Sequence, residues 1–263
     1  MALSVVGTAG WAIPAPYKTQ FPGDGSHLER YAARLNGVEI NSSFYRPHKR
    51  KTYERWAATV PAGFRFSVKV PRTVMQNHRL AHYGNLLDQF LEDVTGLGEK
   101  LGALLAQLPP SLPYDDDVAD AFFRDLARGG AAIACEPRHA SWFTPQAEAL
   151  LKQRHVSRVA ADPPRAPDDG VPGGDTRMAY YRLHGSPRIY YSDYSERALK
   201  TLAPKLREGD WCIFDNTAAF HALGNALTLD RLGGADSTDG ETTCGRKARP
   251  AMLSEALPNS DTT

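Results

Sequence analysis

Short runs rich in apolar and β-branched residues recur along the chain, separated by stretches whose apolar residues return every three or four positions. Such runs between turn signals suit buried strands. They predict strands at 3–7, 38–41, 64–69, 101–108, 132–136, 156–161, 179–184 and 211–215. Their starts fall about 30 residues apart, the size of a βα unit. Eight such units over about 230 residues predict an α/β fold, a TIM-like (β/α)8 barrel.

The stretches between carry helix signals. Ser26 and Glu29 have the Ser-x-x-Glu spacing in which hydroxyl and carboxylate satisfy each other's backbone amides. Leu28, Tyr31, Ala32 and Leu35 then repeat on one helical face. Thr144 followed by Pro145 reads as a cap with proline in the first helical position. Helices are also expected at 85–97 and 116–126, and Leu199, Leu202 and Leu206 form a later stripe. Residues 162–175 are rich in Pro, Gly and Asp without an apolar stripe, so the sixth crossover is expected to be largely loop. From 233 to 263 the chain turns polar. That segment is expected to be a mobile tail with at most a short helix at 252–257, which leaves 1–232 as a single barrel domain.

Composition narrows the classes. With 42% hydrophobic and 23% charged residues, wholesale disorder and fibrous repeats are excluded. No apolar run reaches the ~18–20 residues of a membrane span, and the first residues lack the basic region and cleavage site of a signal peptide. Three cysteines, Cys135, Cys212 and Cys244, have no paired spacing and suit a reducing cytoplasm. The formal charge is +1, which weighs against a protein that coats nucleic acid, so anion binding would have to come from a local cluster.

Such a cluster is legible at the strand ends. Barrel enzymes build their sites where strands end, and residues two apart share a strand face. By that rule Glu39 and Asn41 point inward while Val38 and Ile40 pack outward. Arg182 with His184, and Glu136 with Arg138, keep the same spacing. Lys69 and Gln107 end the third and fourth strands, and Asp162 follows the sixth. Asp215 and Asn216 end the eighth, where parity leaves open which one faces in; Asn216 is assigned to the ligand. Such a ring is costly to bury unless its members are paired or solvated. Internal ion pairs would account for some of them; a site accounts for the whole ring.

At these residues the sequence resembles the YecE-like family, a family of unknown function with a TIM-barrel fold. The resemblance rests on Gly7-Thr8-Ala9-Gly10-Trp11, Val38-Glu39-Ile40-Asn41-Ser42-Ser43-Phe44-Tyr45, Phe66-Ser67-Val68-Lys69 and Leu104-Leu105-Ala106-Gln107-Leu108-Pro109-Pro110-Ser111. It continues in Glu136-Pro137-Arg138-His139-Ala140-Ser141-Trp142, Tyr181-Arg182-Leu183-His184-Gly185 and Phe214-Asp215-Asn216. It spans residues 5–230 or so and implies the barrel without implying a reaction. Ala9, Pro137 and Asp215 depart from the usual Ser, aromatic and Asn of the family.

The ring supports acid–base chemistry, hydrolase or lyase-like, on an anionic or phosphorylated small molecule. Glu39, Glu136 and His184 are its candidate catalytic residues. Asn41, Lys69, Gln107, Arg138, Arg182 and Asn216 are its candidate binding residues. No cofactor is required. The alternative is one Mg or Mn ion on Glu39, Glu136, Asp162 and His184, serving a metal-assisted phosphodiesterase acting on nucleic acid. A ligand-binding barrel without catalysis is the third reading. The basic run 46–51 suits backbone phosphates but reads first as the solvated start of the second helix. His139 reads as a turn anchor and Cys135 as a packed thiol.

Overall fold

The computed structural model describes residues 4–166 and 169–235. All eight expected strands are present as β1 (Val5–Thr8), β2 (Gly37–Ile40), β3 (Arg65–Lys69), β4 (Leu101–Gln107), β5 (Ala132–Glu136), β6 (Val156–Arg158) with β7 (Ala160–Asp162), β9 (Tyr180–Leu183) and β10 (Trp211–Phe214). A two-residue β8 (Gly173–Gly174) lies antiparallel on β6. The expected sixth strand is β6 and β7 in succession, interrupted at Val159. β6 pairs with β5 and β7 pairs with β9, so this one stretch of chain joins the parallel run β2-β3-β4-β5-β6 to the run β1-β10-β9-β7.

The remaining seam, between β1 and β2, closes a TIM-like barrel. Its ladder is short, a bridge between Ala9 and Glu39 with Gly10 N–H donating to Glu39 O at 2.9 Å. Side chains complete it. The Asn36 amide accepts from Val6 N–H at 2.8 Å and donates to Ser4 O at 2.9 Å. Tyr31 Oη accepts from Thr8 N–H at 2.9 Å and donates to Gly37 O at 3.2 Å. The strands approach so closely that a Cβ on Gly7 would lie 2.1 Å from Gly37 O, which accounts for glycine there.

Helices α1 (His27–Ala32), α2 (Arg50–Thr59), α3 (Leu86–Val94), α4 (Asp116–Leu126), α5 (Pro145–Gln153), α6 (Glu196–Leu202) and α7 (His221–Ala235) surround the strands. The capping box forms, with Ser26 N–H donating to Glu29 Oε2 at 2.6 Å and Glu29 N–H to Ser26 Oγ at 3.3 Å. Leu28, Tyr31, Ala32 and Leu35 are all buried, as their spacing requires. Thr144 caps α5 by accepting from Ala147 N–H. Between β7 and β9 the described residues contain no helix, which matches the loop expected for the sixth crossover. The expected tail, 233–263, starts later than expected, because α7 continues to Ala235; from 236 on, with the short helix expected at 252–257, it lies outside the described residues.

The core has two parts. Outward residues such as Val38, Ile40, Phe66, Val68, Leu104 and Phe214 pack beneath the helices. Inside the barrel, Val5, Ala103, Leu105, Ala134, Val159, Tyr180, Trp211 and Ile213 form a separate apolar cluster. Tyr180 and Trp211 stack there with ring centroids 5.8 Å apart and planes 7° from parallel. Apolar residues thus fill the lower barrel, and two residues beyond Leu105, Ala134, Tyr180 and Ile213 lie the polar Gln107, Glu136, Arg182 and Asp215.

Candidate active site

Arg182 organises the upper barrel. It is fully buried, and its guanidinium meets three carboxylates. Nε and Nη2 donate to Glu39 Oε2 and Oε1 at 2.9 and 2.7 Å, Nη1 to Glu136 Oε2 at 2.7 Å, and Nη2 to Asp215 Oδ2 at 3.1 Å. Tyr180 Oη, 2.8 Å from Ser67 Oγ, lies 3.2 Å from Glu39 Oε2. Both Glu39 oxygens are therefore committed one layer beneath the mouth. Burial works against the charge on Arg182, yet Glu39, Glu136 and Asp215 carry it well above its usual range.

Glu136 sits one layer higher. Its Oε1 accepts from Arg138 Nη2 at 3.0 Å and lies 3.0 Å from His184 Nε2, while Oε2 accepts from Gln107 Nε2 at 2.9 Å. The other ring nitrogen, His184 Nδ1, is 3.1 Å from Asp215 Oδ2. An imidazole between two carboxylates is favoured in its charged form. Burial opposes that charge, but Glu136 and the bond to Asp215 raise His184 above its ordinary value. Against the same desolvation, Arg182 and His184 hold Glu136 well below the carboxylate range, and Arg182 lowers Asp215. Tyr190 covers this pair from outside: its ring meets His184 edge-on at 6.0 Å and its N–H donates to His184 O at 2.5 Å.

Lys69 differs from its neighbours. It is 5% exposed, and its Nζ lies 4.3 Å from the centroid of Phe44. Arg182, Arg138 and His184 already hold the cluster's carboxylates, and Lys69 Nζ has no hydrogen-bond or ion-pair partner among the described residues. Burial and the charge of Arg182 lower Lys69 to about 8, against the pull of Glu39, Glu136 and Asp215. The turn Ser42–Phe44 after β2 carries Phe44, and Ser43 Oγ, 2.6 Å from Lys69 O and 2.8 Å from Ile40 O, ties that turn to β3.

The fold thus gathers Glu39, Lys69, Gln107, Glu136, Arg138, Arg182 and His184. Asn216 is elsewhere. Its Nδ2 donates to Ser192 O and Asn225 Oδ1, both at 2.9 Å, so it anchors a loop to α7 while Asp215 takes the inward position. Trp211 and Ile213 point into the barrel, and Asp215 continues their alternation. Asn41 is half-buried outside the cluster, in a pocket of about 440 Å³ with Trp11, His27 and Ser42, and its Oδ1 has no partner among the described residues. Asp162 is also outside. Tyr194 Oη donates to its Oδ2 at 2.6 Å. The four-ligand metal set is therefore not assembled: Arg182 stands between the carboxylates, and the described residues include no group of three metal-ligating side chains suited to an ion. These residues do not fit a resident divalent ion.

The remaining expectations concern single residues. His139 Nδ1 lies 2.8 Å from Ser141 Oγ, a turn anchor. Cys135 is buried, and burial pushes its thiol up. Arg50 opens α2 and donates to Glu54 at 2.9 Å. Sequence reasoning missed Tyr180, Ser67, Phe44 and Tyr190. The first two had a signal, since each lies two residues before an inward-facing Arg182 or Lys69.

Residues 5–248 match the profile of a family described as "Protein of unknown function DUF72". The UPF0759 protein YecE of Escherichia coli K12 is 31% identical over 140 residues, 51% of this chain and 52% of YecE, so the chain matches about half that relative's length. The UPF0759 protein YunF of Bacillus subtilis is 24% identical over 195 residues, covering 68% of this chain and 69% of YunF. A DUF72 family protein from Enterococcus faecalis V583 superimposes with a TM-score of 0.73 at 20% identity, covering 96% of this chain and all of its own. One from Thermotoga maritima gives 0.70 at 23% identity, covering 88% and 98%. A D-psicose 3-epimerase gives 0.51 at 10% identity, covering 90% and 98%. The structural likenesses speak for the fold alone.

Proposed function

The chain belongs to the DUF72 family, and we propose that the mouth of its barrel is an active site for acid–base chemistry, hydrolase or lyase-like, on an anionic or phosphorylated small molecule. The observation that carries this reading is the charge arrangement around Glu136. Three carboxylates, Glu39, Glu136 and Asp215, face four basic groups, Arg138, Arg182, His184 and Lys69. With His184 protonated, the cluster holds one positive charge more than its acids neutralise. An anion at the mouth would balance it without being repelled by the acids, which are committed to Arg182, Arg138 and His184.

In this reading Lys69 and Arg138 bind the anionic group. His184, as imidazolium, gives its proton to a leaving oxygen and takes it back in the next step. Glu136 and Asp215 orient the ring and stabilise its charged form. Glu136 is a weak base because Arg182 and His184 hold its proton affinity down, so it acts through His184. Glu39 orients Arg182 from below. Gln107 fixes the Glu136 carboxylate. The same proposal takes 1–232 as one barrel domain and the protein as cytoplasmic, a setting that suits the buried free thiols of Cys135 and Cys212. No helix among the described residues is long and apolar enough to cross a membrane.

The test is calorimetric titration with inorganic phosphate and small carboxylates, followed by a screen of phosphoesters and carboxylated substrates with the native protein and with Glu136→Gln. The reading expects anion binding that weakens in Lys69→Met and turnover that falls in Glu136→Gln by more than its loss of folded protein accounts for. Absence of anion binding in the native protein would overturn it.

A further inference from the structure

We infer that Lys69 is an imine-forming amine, and that the site takes a carbonyl compound bearing a carboxylate or a phosphate. This deepens the function proposed above and rests on it. Most lysines hold their ammonium in open solvent or against a counter-ion. Lys69 is 5% exposed, and among the described residues its Nζ has neither a hydrogen bond nor an ion pair. It faces the ring of Phe44 at 4.3 Å.

Most of the nearby carboxylate oxygens are taken by other cations, while Asp215 Oδ1 has no hydrogen bond among the described residues. Arg182 takes both oxygens of Glu39, one oxygen of Glu136 and one of Asp215. Arg138 and His184 share the remaining Glu136 oxygen. Burial and a nearby guanidinium are the two surroundings that make a lysine amine nucleophilic near neutrality, and the Phe44 face, which itself favours the ammonium, positions Nζ at the mouth. Its value of about 8 agrees with that geometry. The residue stands at the C-terminal end of β3, where barrel strands present their reacting groups.

The step balances without any oxidant or metal. Neutral Nζ attacks the carbonyl carbon while the carbonyl oxygen gains the proton released by nitrogen, giving a carbinolamine. The nitrogen lone pair then expels the hydroxyl, which leaves as water with a proton taken from solvent. The products are a protonated imine on Lys69 and water. Arg138 is the cation left to hold the substrate's acid group.

The native protein is incubated at about pH 8 with pyruvate, dihydroxyacetone phosphate or acetone, each with sodium cyanoborohydride. Reduced adducts are then mapped by mass spectrometry. The expected result is a secondary amine at Lys69 with one of the two anionic carbonyls, at least about tenfold above every other lysine and above the acetone reaction. Pyruvate against dihydroxyacetone phosphate separates carboxylate from phosphate recognition. Lys69→Arg, which keeps the charge and lacks the nucleophile, loses the adduct. Labelling spread evenly over surface lysines such as Lys200, or none at Lys69, overturns the inference. Calorimetry with lactate and inorganic phosphate separates the two failures. Anion binding without an adduct sinks the imine alone, whereas absence of both sinks the proposed function as well.

Discussion

Arg182 Nη1 stands 2.7 Å from Glu136 Oε2, with neither side chain more than 1% exposed. A pair so placed contributes little by existing and costs a great deal when broken, because the survivor is an unpaired buried charge. Arg182→Met leaves Glu39 without a cation and takes one partner from Glu136 and from Asp215. It is expected to lower the unfolding free energy by about 3–5 kcal/mol in urea titration. A loss below about 1 kcal/mol would mean that water reaches these groups.

Glu136→Gln removes the charge that raises His184. Because the folded value of His184 is raised, its contribution to stability is fully present below the ordinary histidine value of about 6.5 and is lost as pH rises through the folded value. The native protein should therefore lose stability over that interval, and Glu136→Gln should lose less. Denaturation across the interval, with NMR titration of the imidazole, checks both. An unmoved His184 titration in the variant would refute the coupling.

Lys69 has the opposite linkage. Its folded value of about 8 lies below the ordinary lysine value of 10.5, so the charged form is penalised in the folded state. At about 1.36 kcal/mol per unit, Lys69→Met should stabilise the protein at neutral pH by about 2–4 kcal/mol, an advantage that fades as pH rises from 8 towards 10.5. A more stable variant that binds anions more weakly is the expected pattern. A destabilised one would show that the ammonium supports the fold.

The hydroxyl of Tyr31 stands in for ladder bonds between β1 and β2. Tyr31→Phe leaves Thr8 N–H and Gly37 O without that partner and should cost about 1–3 kcal/mol. Hydrogen exchange at Thr8 should accelerate more than at Val68, in the middle of the sheet. Equal acceleration at both positions would indicate global loosening instead.

Asp215→Asn should lower the titration of His184, because the imidazole loses a charged neighbour at 3.1 Å. Asn216→Ala should leave that titration in place and weaken the anchoring of the loop to α7, seen as faster exchange around Tyr194. The reverse pattern would invert the assignment of the two side chains.

Residues at 215 and 216 also show how far a sequence can be read. Alternation placed Glu39, Glu136, Arg182 and His184 inward because each lies in or directly after a regular strand. At the eighth strand both candidates are polar, and only the inward packing of Trp211 and Ile213 decides between them. Asn41 obeyed the alternation rule on paper, but the chain has already turned helical there, with φ −82° and ψ −22°, which rotates its side chain away from the cluster. Asp162 was drawn to the mouth by its position after a strand. Val159 is inward, so Asp162, three residues on, points out towards Tyr194. The strands themselves were legible because their apolar runs are short and evenly spaced. The pairing of Lys69 with a phenyl ring was not, since Phe44 belongs to a turn whose direction no periodicity records.

The seam between β1 and β2 fixes an order of events in the life of the chain. β1 aligns along its whole length with β10, from Val5 opposite Trp211 to Thr8 opposite Phe214, whereas its ladder to β2 is a single bridge backed by side chains. The first strand of the barrel must therefore wait for the last one before its ladder is complete. Until Trp211–Phe214 has been made, the nascent molecule is an open sheet with two bare edges, and this is when it most needs protection from association with other chains.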